Sequence, residues 1–360
     1  MNPFNLINTF ILLDSFVLFI ILLTIILSIL ISVAYFTLME RKVLAAMQRR
    51  RGPNVVGVYG VLQPLADGLK LMGKEGIIPT LANVWVYLAA PGIAVVMSFC
   101  GWMVLPMTNI NIININNDLD ILIFFCLTSL GSYGVVLAGW GSFSRYAVMG
   151  GLRAIAQLIS YEVIFLLSIL PPAMIIGTFN FNAFSTVQSE SCWNILPCLP
   201  SALIFFILML AETNRTPFDL PEAEAELVSG FNVEYSSILF AMFTLAEYNS
   251  MLMMSTLYTI LFLGGWSAGT FIFIIKTLFI AFLIINVRAA LPRYRYDQLM
   301  YLCWYILLPL CLSLVIFTAG MCVELGIYGL NPTELALEIQ KKNDVYFDMY
   351  FSVELKFKVE

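Results

Sequence analysis

Residues 16 to 39 read "FVLFIILLTIILSILISVAYFTLM", a run from Phe16 to Met39 without a single charged side chain. At the helical rise such a run is about 36 Å long, enough to cross the ~30 Å hydrocarbon core of a bilayer. It is not alone. Working outward, runs of comparable length and character lie near residues 84–106, 121–140, 153–176, 198–215, 236–263, 270–288 and 301–322. The whole chain of 360 residues is 61% hydrophobic and only 11% charged, with mean hydropathy +0.91. A soluble domain carries roughly twice that share of charge. The expected fold is therefore an all-α polytopic membrane protein with eight transmembrane helices. The fifth is short and flanked by Pro197 and Pro200, and the sixth is long enough to tilt.

Charge orients the spans. Eight crossings put both termini on one side, and alternate connections hold Arg41, Lys42, Arg49, Arg50, Arg51, Lys70, Lys74, Arg145, Arg153, Arg215, Arg288, Arg293 and Arg295, thirteen of the eighteen cations. The opposite connections hold none, so the basic loops face the cytoplasm or matrix and the termini face the other way. No basic leader with a cleavage site and no Arg-rich transit segment precedes the first span, so nothing argues for import and processing. The Ile and Asn bias of "NINIININND" suits an AT-rich organellar genome.

Histidine is absent, which removes the usual axial ligand of haem and the commonest ligand of zinc and copper. The seven cysteines form no C-x-x-C cluster, so no iron–sulfur site or metal is expected. Cys192 and Cys198 share one polar connection, where spacing alone does not decide for or against a disulfide.

Two segments depart from the spanning pattern. In "VYGVLQPLADGLKLMGKE", Val58, Val61, Leu62, Leu65, Leu69 and Met72 make one helical stripe, with Gln63, Asp67, Lys70 and Lys74 largely off it. Pro64 suits a first helical turn, which predicts an amphipathic helix near 60–73 on the inner side. Two readings stand, a helix lying in the membrane interface and a cap over the bundle. Beyond residue 322, "NPTEL" offers Asn331 as a helix N-cap, with a short helix ending near Lys342. After it "DVYFDMYFSVELKFKVE" alternates with period two, which means a strand. A lone strand covers neither its face nor its edge, so residues 323–360 are expected to dock on a partner subunit, apart from the membrane domain of residues 1–322. No internal repeat points to a transporter of inverted halves.

The charges inside the bilayer are few. Counted from the inner ends of their spans, Glu162 and Glu247 lie roughly 15 Å deep and Lys276 about 18 Å, which places the three in one layer. Intramembrane ions cost about 2.5–3.5 kcal/mol each on the insertion scale unless they pair or meet water, and they are functional by default. Below them "ETNRTPFDLPEAEAELVSGFNVEY", residues 212–235, carries Glu212, Asp219, Glu222, Glu224, Glu226 and Glu234 in one inner loop. A surface loop needs acids only for solubility. Here Phe218, Leu220, Leu227, Val228 and Phe231 are interleaved with them, so the loop is expected to fold back onto the bundle. Crowded, partly dehydrated carboxylates cannot all ionise near neutral pH, which suits them to carry protons.

Four stretches now carry a resemblance: "ERKVLAAMQRRRGPNVVGVYGVLQPLADGLKL", "LRAIAQLISYEV", "AETNRTPFDLPEAEAELVSGFNVEYSS" and "PRYRYDQLM". In order and spacing they resemble the subunit 1 family of respiratory complex I, the proton-translocating NADH:ubiquinone oxidoreductase, over roughly residues 30–305. The resemblance implies an eight-helix subunit of the mitochondrial inner membrane, with matrix-side loops and both termini on the intermembrane-space side. It would form the membrane half of a ubiquinone chamber, ubiquinone being a substrate, with no haem, flavin, iron–sulfur cluster or metal bound by this chain. Its partners would be the other membrane-arm and peripheral-arm subunits, with the tail on an accessory subunit. It places Glu40, Arg41, Arg50, Asp67 and Arg288 along the quinone passage, with Phe243 as a wall residue. It also places Glu162, Glu212, Glu222, Glu224, Glu226, Glu234 and Glu247 on an acidic path that begins there, beside Asp219. The run Arg49–Arg51 is more basic than the family's commonest form and Thr244 is smaller than the usual residue. Rival readings are a self-contained ion antiporter, which would need matching acids in the outer half of the bundle, the membrane anchor of a hydrogenase, and a scaffold.

Overall fold

A computed structural model describes residues 3–107, 118–219 and 230–325 of the chain. Ten helices order these residues: α1 (Pro3–Met47), α2 (Gln63–Gly73), α3 (Val84–Val104), α4 (Asp120–Gly141), α5 (Arg145–Ile176), α6 (Phe181–Glu190), α7 (Leu199–Glu212), α8 (Ser237–Phe262), α9 (Thr270–Ala290) and α10. The last begins as Tyr296–Tyr301, widens into a π-helical stretch at Leu302–Leu307 and continues as Leu308–Leu325. The described residues contain no strand. Among the described residues seven helices are long and apolar enough to cross a membrane, and α7 is a shorter apolar helix of 14 residues. At about 21 Å, α7 falls short of a full hydrocarbon thickness.

The all-α, multi-span class thus holds, with differences at the boundaries. Helix α1 continues past residue 39 through "ERKVLAAM", because Glu, Arg, Lys, Leu, Ala and Met are all good helix formers and nothing there breaks the hydrogen-bond ladder. Glu40 and Arg41 therefore ride on a helix and not in a connection. Helix α6 was not expected. Asn180 caps it by accepting from the Asn182 N–H at 2.8 Å, and Phe181, Phe184 and Val187 bury one side of it. Its polar residues hid it from a search for apolar runs. The acids Glu222, Glu224 and Glu226, the short helix after Asn331 and the strand expected at 345–359 lie outside the described residues.

Helices α5 and α8 are the spine. The first packs against α4, α7 and α10, the second against α1, α3 and α9. Small residues let the backbones close: a Cβ on Gly139 of α4 would stand 2.8 Å from the Ala147 carbonyl oxygen of α5. In a bilayer, where lipid is as apolar as leucine, such close packing supplies most of the helix–helix attraction. A main core of buried side chains runs through the bundle. A second cluster of Tyr87, Ala90, Ala138, Phe231, Tyr235 and Phe243 sits at its inner end.

Candidate functional site: an ion-pair cluster and an acid-lined cavity

The inner end of the bundle gathers charge that the sequence scatters over 250 residues. Glu40, 3% exposed, leaves α1 toward the segment after α7 and the last turn of α9. There it accepts from Arg215 at 3.5 Å and makes a close ion pair with Arg288. The Arg215 guanidinium lies 4.7 Å over the Tyr248 ring of α8, and the Tyr248 hydroxyl reaches the same carboxylate. Arg215 and Tyr248 were not marked by the sequence. A cation of a loop and a tyrosine of a span look ordinary until the fold brings them to Glu40.

Arg41 and Asp67 form a separate, more exposed pair. Arg41 Nη1 stands 2.6 Å from Asp67 Oδ2, and Gln63 Nε2 donates to Asp67 Oδ1 at 2.9 Å, so α1 and α2 are tied together. Arg50 donates to the Gln48 side chain at 2.7 Å and lines an open cleft with Arg41, Arg51 and Gln63. On α2 the apolar side chains face outward: Leu65 is 59% exposed, Leu69 70% and Met72 71%. The rest of the chain leaves that stripe uncovered.

The second site is a cavity of about 110 Å³ between α3, α4 and α8. Its lining is mainly apolar, and the polar groups set into it give a void of that size the partners and the room to hold water. Glu212 at the end of α7 and Glu247 in α8 both line it, together with Ser98, Thr128, Ser132 and Asn214. Glu162 stands beside it, in hydrogen-bond contact with Ser129 of α4, next to Thr128, while Leu158 one turn earlier on α5 lines the wall. Phe243 belongs here also. It is 2% exposed and packs on Phe231 and Tyr235 with ring centroids 5.4 and 5.0 Å apart, and it forms part of the wall of this cavity.

Lys276 is not in this layer. Its ammonium donates to the Leu263 carbonyl at 2.6 Å, past the far end of α8, and lies 4.4 Å over the Trp193 ring. Leu263 is sixteen residues beyond Glu247, roughly 24 Å along the helix. The depth count located the backbone but not the head: a lysine stem of four carbons reaches toward the nearer end of the bundle, where a carbonyl at a helix C-terminus and an indole face receive the charge.

The start of the acidic loop folds back as expected. Asp219, 7% exposed, accepts from Arg293 at 2.9 Å, and the Tyr294 N–H donates to the Pro217 carbonyl at 3.0 Å. Phe218 packs on Tyr161 and Tyr294. The loop's far end is fixed by tyrosines: Tyr87 donates to the Glu234 carbonyl at 2.8 Å and stacks on Tyr235 at 4.2 Å. Burial and the neighbouring Tyr87 push the Tyr235 phenol above the ordinary tyrosine range, so Tyr235 stays neutral.

Asn214 and Glu247 line the cavity, while their chain neighbours Arg215 and Tyr248 meet Glu40. One turn of loop and one turn of helix form the wall between the two sites.

A multi-span helical membrane protein with a buried ion-pair cluster at one end and an acid-lined cavity beside it is the class these observations define. Within that class the chain belongs to the NADH dehydrogenase family, whose family model matches residues 20–319. It is 47% identical over 314 residues to the NADH-ubiquinone oxidoreductase chain 1 of Chondrus crispus, covering 84% of this chain and 96% of the relative. To the protein of the same name from Metridium senile it is 48% identical over 321 residues, 87% of this chain and 95% of the relative. To that of Arabidopsis thaliana it is 48% identical over 313 residues, 84% of this chain and 96% of the relative.

Proposed function

We propose that this chain is the membrane subunit of respiratory complex I that forms the membrane half of the ubiquinone chamber and starts the acidic path coupling quinone reduction to proton translocation. Family membership supports the enzyme, an NADH:ubiquinone oxidoreductase of which this chain is one subunit. In this reading the short α7, the fifth span in chain order, brings the count of spans to eight, the basic connections face the mitochondrial matrix, and the other subunits of the complex supply the electron carriers. The exposed stripe of α2 and the Arg41–Asp67 pair suit a molecule with a long apolar tail and a polar head entering from lipid. The buried carboxylate of Glu40 with its two guanidinium partners suits a place where charge created by quinone reduction is felt.

The observation that carries the reading is the shared wall. The residue pairs Asn214–Arg215 and Glu247–Tyr248 each put one member toward the acid cavity and the other toward the Glu40 cluster. A change of charge or geometry at one site is then mechanically available to the other. Protons redistribute through Glu212, Glu247 and Glu162, with Glu222, Glu224 and Glu226 as the loop acids that link to the matrix side. The test replaces Glu212 and Glu247 singly by Gln in the assembled enzyme in sealed membranes. Removing a proton-carrying carboxyl is expected to slow coupled turnover on the order of 100-fold or more. Turnover and protons moved per electron equal to the unsubstituted enzyme in both variants overturn the proposal.

A further inference from the structure

We infer that Gln157 is the positioning residue that locks the turn 211–218, so that the Glu40 cluster and the acid-lined cavity move as one unit. The inference rests on the functional reading of those two sites given above and adds the part that joins them. Gln157 lies in the middle of α5, is 0% exposed and touches neither site's carboxylates through any hydrogen bond. Its side-chain nitrogen instead donates to three acceptors on the same turn. These are the Ala211 carbonyl at 2.9 Å, the Asn214 side-chain oxygen at 3.2 Å and the Phe218 carbonyl at 2.9 Å.

The arrangement is more than a packed core polar group. An amide nitrogen has two hydrogens, so three acceptors at hydrogen-bond distance share them, and the Gln157 Oε1 has no hydrogen-bond partner among the described residues. Two of the acceptors are backbone carbonyls, which fixes which end of the amide faces the turn. Leaving a buried amide oxygen unsatisfied costs free energy that a leucine or methionine would avoid. What the amide secures is the path of the chain between Glu212 and Asp219. Within that path Asn214 holds φ near 49°, a left-handed conformation unusual for a side-chain-bearing residue, and the adjacent Arg215 is thereby turned to the opposite side, toward Glu40. The backbone closes the start of this turn by itself, with the Asn214 N–H on the Ala211 carbonyl at 3.3 Å and the Arg215 N–H on the Leu210 carbonyl at 3.2 Å, so what the Gln157 amide adds is the tie from that cap to α5 and to Phe218. Without that tie the capped turn can shift against α5, and the Arg215–Glu40 contact can change with no matching movement of the cavity wall.

The deciding experiment uses the assembled enzyme in sealed native membranes, with Gln157→Met to remove the donor at nearly constant volume and Asn214→Ser to remove one acceptor. The amount of assembled enzyme is read from NADH oxidation with a water-soluble one-electron acceptor. Per assembled enzyme, kcat for quinone reduction is expected to fall about tenfold with KM for quinone held within about twofold, because positioning is lost and binding is not. Protons moved per electron are expected to fall as well. A purely structural glutamine would lower the assembled amount and leave kcat, KM and the proton ratio per assembled enzyme untouched, and that result overturns the inference. Failure of both variants to assemble overturns it too, since the contact would then serve folding alone. Glu247→Gln is run alongside: normal pumping in that variant overturns the reading of the cavity itself, whatever Gln157→Met does. Impaired pumping in Glu247→Gln beside normal pumping in Gln157→Met overturns only the positioning role.

Discussion

Glu40 illustrates how a single side chain acquires its role from its surroundings. It is an unremarkable helix residue in "MERKV", yet two guanidinium groups converge on it and Arg215 has 7% of its surface left to water. Substituting Glu40 by Ala removes the buried carboxylate that Arg215 and Arg288 share, and breaking a buried pair from one side costs about 3–5 kcal/mol. The expected outcome is a large fall in assembled enzyme and in Tm of the solubilised complex. A Tm within about a degree of the unsubstituted protein would show that the Glu40 ion pairs contribute no net stability. At the same scale Lys276 is a warning. A lysine in the middle of an apolar run is an intramembrane charge by position, but its head is an outer-end charge by reach.

Among the elements, α5 carries the most consequence because it touches both the bundle and the inner loop. Near its start Gly150 faces the turn at Gly230–Asn232 so closely that a Cβ would lie 2.8 Å from the Gly230 Cα and 2.9 Å from the Phe231 nitrogen. All these neighbours are backbone and cannot rotate away. Gly150→Ala is therefore expected to push the loop's far end off the bundle and to cost about 1–3 kcal/mol, visible as faster proteolysis of the loop in the solubilised complex. Cleavage at the unsubstituted rate would mean that α5 and the turn are not held together there. Helix α2 shows the opposite arrangement, an element whose apolar face the rest of the chain leaves uncovered.

On the scale of the whole molecule, the one-sided distribution of cations and of both charged sites makes orientation a testable property. Cys192 is exposed in the connection before α7, near Trp193 and the Lys276 head, on the side away from the basic loops. With the basic loops in the matrix, an impermeant maleimide should label Cys192 from the intermembrane-space side and not in inverted vesicles, and Cys192→Ser should abolish the signal. Labelling only in inverted vesicles would reverse the orientation and move the acid cavity's access to the other compartment.

Composition and run length determined the class, because a bilayer admits only segments that satisfy their own backbone hydrogen bonds and bury no charge cheaply. The uncharged stretch from Phe16 to Met39 and its successors state that requirement directly. The acids could also be picked out in the sequence, since Glu212 and Glu247 stand out against oil. What the tertiary structure alone decided was who meets whom. That Arg215 and Tyr248 turn to Glu40 while Asn214 and Glu247 turn to the cavity depends on helix rotation and on a left-handed residue in a turn. Such rotations follow from close packing between segments far apart in the chain, and no local pattern encodes them. Gln157 was silent for the same reason: an amide has no charge to betray it, and its three acceptors exist only once α5 and the turn after α7 are side by side.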